Sequence, residues 1–166
     1  MRKLLSFLIA AAAGQMAPHL TQLKEATEYN VNNQLLDMLV EHDTLDDEFF
    51  NKMLISPRPG VNHLLYDEVM KLILELKSSF PNIIKLESIG KSYEDRDIWM
   101  LKLDAHRFLE RNGLAVNTQN SKERKAILLT GAHHARELVS VQMVLYSILE
   151  MLHGLVHLDP EKLILL

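Results

Sequence analysis

The sequence contains no cysteine among its 166 residues. Disulfides and cysteine–zinc sites are thereby excluded, and any metal must be held by histidine and carboxylate. A basic excess is missing too. The formal net charge is −4, which argues against a nucleic-acid partner. There is no internal repeat, no low-complexity tract, no Gly-x-Ser-x-Gly elbow and no Walker loop, so neither the nucleophile-elbow hydrolases nor the phosphate-cradling folds are indicated. Nor is a membrane span expected in the mature chain. The longest unbroken apolar run lies at the N-terminus and falls short of the ~20 residues a spanning helix needs. What is present is the balance of a globular protein, with 48% hydrophobic and 24% charged residues. The length suits one ordinary domain, or a short leader and a smaller domain.

Arg2 and Lys3 precede an apolar run from Leu4 to Ala13 broken only by Ser6, and Ala11-Ala12-Ala13 stands before Gly14. A charged start, an apolar centre and small residues at a cleavage point make residues 1–13 a secretory signal peptide. The competing reading is a buried N-terminal helix. The signal-peptide reading sends the protein to the extracellular space or to the lumen of the secretory pathway, lysosome or vacuole.

Residues 14–65 read as an acidic leader or pro-segment. Asp37, Glu41, Asp43, Asp46, Asp47 and Glu48 follow one another with no intervening Lys or Arg. Such a run is a solvated face, a pro-segment or a partner surface. Leu35, Leu36 and Leu39, then Phe49, Phe50, Met53 and Leu54, predict short amphipathic helices. Ser56-Pro57-Arg58-Pro59-Gly60 breaks that pattern and reads as a linker.

From Tyr66 the chain takes on an α/β rhythm. Val69, Leu72, Ile73 and Leu76 predict a helix stopped by Phe80-Pro81. Ile83, Ile84, Leu86 and Ile89 predict a strand ending at Gly90, and a charged turn leads to a second strand over Ile98 to Leu103. Arg111-Asn112-Gly113 and Asn117 to Glu123 read as turn and loop. Ala126-Ile127-Leu128-Leu129-Thr130 is apolar throughout, the pattern of a strand buried on both faces. Val141, Val144, Leu145, Ile148, Leu149 and Leu152 form one helical stripe, which Gly154 is expected to end or weaken.

Chemistry concentrates in Gly131-Ala132-His133-His134-Ala135-Arg136-Glu137, between the apolar run and that last helix. The carboxyl ends of strands are where open α/β sheets place their sites. His134 and Glu137 are three apart, so on a helical turn they share a side, where imidazole and carboxylate can reach one zinc ion. Magnesium or calcium would want mostly oxygen. Arg136 between them can grip a carboxylate or polarise a carbonyl. The plain structural alternative is a helix start at which Glu137 favours the dipole and His134 caps. His133 is read as a supporting residue. His153 and His157 have metal-ligand spacing, but Gly154 interrupts them and no acid follows in the His-Glu-x-x-His manner, so both are read as surface histidines.

With these motifs in hand, the sequence resembles the zinc carboxypeptidases of the carboxypeptidase A type. His134-Ala135-Arg136-Glu137 is similar to the family's His-x-Arg-Glu signature, and Leu138-Val139-Ser140 matches its surroundings. Tyr66-Asp67-Glu68-Val69 resembles the tyrosine-led first helix of the mature enzyme. Phe80-Pro81, Ile89-Gly90-Lys91-Ser92 and Glu94-Asp95-Arg96-Asp97-Ile98 resemble the strand–turn–strand opening, where Gly often stands at the position of Asp95.

The resemblance implies an α/β, mixed-sheet zinc carboxypeptidase fold, of which residues 66–166 carry the N-terminal part: three strands and two helices. It implies Zn²⁺ as cofactor, with His134 and Glu137 as two of three ligands. It implies Arg136 as a substrate-binding residue, and the C-termini of peptides or proteins as substrate. The family's third ligand, a histidine, and its general-base glutamate lie far downstream. His153, His157, Glu150 and Glu161 do not stand in matching contexts. A sheet cut at this point is expected to expose a strand and an apolar helix face.

Overall fold

The computed structural model describes residues 34–113 and 126–163. The signal-peptide reading of 1–13 and the loop read at Asn117 to Glu123 lie outside the described residues. The element order is α1 (Gln34–Glu41), α2 (Asp47–Leu54), α3 (Tyr66–Ser79), β1 (Ile84–Lys91), β2 (Asp97–Leu103), α4 (His106–Arg111), α5 (Leu138–His157) and α6 (Pro160–Leu163). The described part is a mixed arrangement of helices with one small antiparallel two-stranded sheet.

The acidic stretch does form two amphipathic helices. Leu35, Leu36 and Leu39 of α1 and Phe49 and Leu54 of α2 are buried, while the acids between them stay at the surface or half-buried. Asp46 starts α2, its carboxylate accepting the Phe49 N–H at 2.9 Å. Fully burying a leucine contributes roughly 1.5–3 kcal/mol, so these segments share the hydrophobic core formed with α3 and α5.

Helix α3 occupies the predicted residues. Its buried face is Leu72, Ile73 and Leu76, and its first turn is fastened by Glu68, which accepts the Leu65 N–H at 2.8 Å and the Ser56 hydroxyl at 2.9 Å. Arg58 from the Pro/Gly stretch adds an exposed ion pair to Asp67 at 2.7 Å. Phe80 closes the helix, donating its N–H to the Leu76 carbonyl.

The two strands pair from Ile84↔Leu103 to Lys91↔Asp97, with a bulge between Ser88 and Gly90. Leu86, Trp99, Leu101 and Leu103 pack on the core. In the turn between the strands Asp95 sits at φ +60°, the left-handed region that suits glycine. This is the position where the resembling family often has glycine. Ser88 and Lys91 both hydrogen-bond the Asp97 carboxylate and hold it below its ordinary range.

Helix α4 was not foreseen: Phe108 and Leu109 are adjacent and set no period over six residues. Helix α5 runs through Gly154 to His157 rather than ending there. The glycine has a different reason. A side chain at 154 would run into the aliphatic stem of Lys162 on α6. The chain reverses at Leu158, φ +52°, and Asp159 accepts the Glu161 N–H at the start of α6.

Helix α5 is also long and apolar enough to cross a membrane by length and composition, contrary to the expectation that no stretch is. Its buried face, Leu145, Ile148, Leu149, Leu152, Leu155 and Val156, is packed in the core, as for a core helix of a globular protein.

Candidate metal centre

Residues 126–137 form neither strand nor helix. This corrects the expectation of a strand buried on both faces: Ile127 is 69% and Leu128 79% exposed. An apolar run becomes a central strand only with hydrogen-bonding neighbours, and among the described residues β1 and β2 pair only with each other. The exposure that the truncated-sheet argument anticipated is present, and it extends to Leu138, Val139 and Met143 at the start of α5.

The segment is nevertheless pinned to α5. A Cβ on Gly131 would sit 3.0 Å from the backbone of Ser140 and Val141, so the absence of a side chain lets the chain pass close. Ala132, at φ +55°, donates its N–H to the Ser140 hydroxyl at 2.7 Å, and that hydroxyl donates to the Glu137 carbonyl. The Glu137 N–H donates to the His134 carbonyl at 3.0 Å. That turn brings the two side chains together, and His134 Nδ1 lies 2.7 Å from Glu137 Oε1. Ser140 was noticed in the sequence only as context. Its place three residues after Glu137, in the first turn of a helix, was the available signal.

The i, i+3 expectation of a shared side is met. The capping alternative is not: the N-cap of α5 is Glu137, and no side-chain hydrogen bond caps it. His134 turns its ring to the carboxylate instead. Their side chains are 70% and 44% exposed, and Arg136 between them is exposed. His133 is exposed, with its ring edge-on to His134 at 6.3 Å between centroids.

An imidazole nitrogen and a carboxylate oxygen side by side, open to solvent, suit two positions of a tetrahedral zinc ion. No group of three potential ligands occurs among the described residues. The fit is therefore to half a site. His153 and His157 do not join it. His153 is buried, at 3% exposure, which corrects its reading as a surface residue; His157 is exposed. Both ring Nε2 atoms are engaged with backbone carbonyls, His153 with His42 at 2.8 Å and His157 with Leu39 at 2.9 Å.

A histidine–glutamate pair at the head of a helix, flanked by an arginine, is the donor set of the metallopeptidase class. The comparisons with known proteins narrow the class. The zinc carboxypeptidase family matches residues 69–158, and the chain belongs to that family. It is 32% identical over 89 residues to a zinc carboxypeptidase of Saccharothrix mutabilis subsp. capreolus, covering 54% of this chain and 18% of that protein. It is 28% identical over 78 residues to an inactive metallocarboxypeptidase of Saccharomyces cerevisiae, covering 47% and 16%. A further inactive metallocarboxypeptidase, from Uncinocarpus reesii, is 35% identical over 79 residues, covering 48% and 12%. The matched segment thus spans less than a fifth of these curated relatives' length. No solved structure gives a significant match.

Proposed function

We propose that residues 66–166 are the N-terminal part of a mixed-sheet zinc carboxypeptidase domain whose activity is removal of C-terminal residues from peptides and proteins. His134 and Glu137 would hold the zinc with a third ligand outside the described residues, and Arg136 would bind the substrate. The observation that carries this reading is the 2.7 Å approach of His134 Nδ1 to Glu137 Oε1, in a solvent-open loop inside the family-matched region. When bound, zinc in such a site supplies a water acidified for attack on a carbonyl. This chain's own contribution is positional. Ser140 fastens the loop to α5, the His134–Glu137 turn keeps the donors together, and Arg136 places a permanent cation beside them. Residues 1–13 as a signal peptide and 14–65 as leader or pro-segment complete the proposal, with an exported product.

A second reading is favoured by one finding: several of the matching relatives are inactive metallocarboxypeptidases. On that reading the chain is a non-catalytic homologue that binds a partner. Zinc calorimetry and mass spectrometry of peptide C-termini separate the two. The enzyme reading expects zinc binding, release of C-terminal residues, and loss of both in His134→Ala. Removing one ligand is expected to weaken zinc by about tenfold or more, at least the cost of losing an outer partner. Arg136→Ala is expected to spare zinc and weaken the peptide. Zinc binding without release supports the homologue. Zinc binding that is absent, or indifferent to His134→Ala, sinks the site itself.

A further inference from the structure

The histidines left unused by the metal centre form a second cluster, at the far end of α5. His153 and His157 lie one turn apart with ring centroids 4.3 Å from each other. His153 donates from Nε2 to the His42 carbonyl, just past the end of α1, and His157 donates from Nε2 to the Leu39 carbonyl in the last turn of α1. Two imidazoles on α5 thus satisfy carbonyls that a helix C-terminus leaves open. The other nitrogen of His153, Nδ1, lies 3.2 Å from Lys162 Nζ on α6. An ammonium has only donors, so Nδ1 must accept. The bonding at both nitrogens therefore demands the neutral ring.

We propose that His153 and His157 form a pH-sensitive clip, which fastens the acidic helix α1 to α5 when neutral and releases it on acidification. A proton on His153 Nδ1 would face the Lys162 ammonium, donor against donor, in a buried place. A proton on His157 would add a second cation stacked on the same ring. The charged and titratable groups facing His153 are Lys162 on α6 and Glu150 and His157 on α5; α1 presents its carbonyls, while the His42 ring turns away onto Phe49. Glu150 is the only anion of the set and is already engaged by Lys162 and by the Tyr146 hydroxyl. Burial raises the Glu150 pKa, but those hydrogen bonds outweigh it and hold the group below its ordinary range. It therefore stays ionised while the histidines titrate.

Burial pushes His153 below the ordinary histidine value of 6.5, against the pull of the His42 carbonyl and with help from the Lys162 charge. A histidine with a depressed folded-state value contributes stability that is complete above about 6.5, where the released form is neutral too, and that is lost as pH falls toward the lowered value. Release uncovers Leu35, Leu36 and Leu39, all fully buried when the clip is closed.

The test is hydrogen exchange of the full chain between pH 7.5 and pH 5.5, read as protection factors for α1 against α3, which has no histidine clasp. Wild type is expected to lose about tenfold in α1 protection for each pKa unit of coupling, with α3 changing less. His153→Gln together with His157→Gln keeps an amide donor near each carbonyl without a titrating ring, and should flatten the α1 profile while α1 stays protected at pH 7.5. An unchanged slope in that variant overturns the clip. Should the variant not fold, the wild-type ring signals decide: His153 titrating at an ordinary value, or α1 protection constant through its titration, overturns the proposal equally.

Discussion

Two apolar segments of this chain meet opposite fates. Along α5, Leu149, Leu152 and Leu155 are fully buried between helices. A few residues upstream, Ile127 and Leu128 are as hydrophobic and stand mostly in water. Composition does not distinguish them; partners do. The helix satisfies its own backbone and needs only a surface to cover its stripe. The extended run needs another strand on each side before burying its backbone becomes favourable.

The comparison can be broken by substitution. Leu149→Ala should cost the most, about 2–5 kcal/mol, because the core can collapse only partly around the cavity. Denaturant unfolding measures it, and a cost within experimental error would show that α5 is not held as described. Gly154→Ala comes next. In an unencumbered helix interior this change gains up to about 1 kcal/mol. Here the Lys162 stem stands in the way, and we expect a net loss of about 1–3 kcal/mol, the usual range for overpacking. A stabilised variant would mean that α6 does not dock there. Leu128→Ala should be the smallest, within about 0.5 kcal/mol, as for surface sites generally. A large loss from Leu128→Ala would erase the contrast and place the run in a core.

Much of this arrangement was legible in the sequence, for reasons that can be named. Helix α3 shows a full period of apolar residues and a Phe80-Pro81 stop, and strands β1 and β2 are short runs around a charged turn. Both signals are local. So is the spacing that brings His134 to Glu137. The misreadings are all non-local. Ala126 to Thr130 has the composition of a central strand, but strands are completed by neighbours that composition does not name. Gly154 resembled a helix stop because its real constraint, the Lys162 stem, lies on the following helix. His153 resembled a surface histidine because its partners, the His42 carbonyl and Lys162, come from two other elements. Helix α4 was too short to display a period.

Gly154 has one more consequence. The chain after α5 turns back along the helix it has just left, and what admits it is a gap one methyl group wide. The course of α6, the placement of Lys162 and through it the bonding of His153 all depend on atoms that are missing from a single position. A substitution there would change no contact that α5 makes through its own side chains, yet it would alter the charge environment of a histidine that clasps a different helix. Position 154 is therefore a site of control exercised by vacancy: small chemical changes at it should be felt at α1 before they are felt in the helix that contains it.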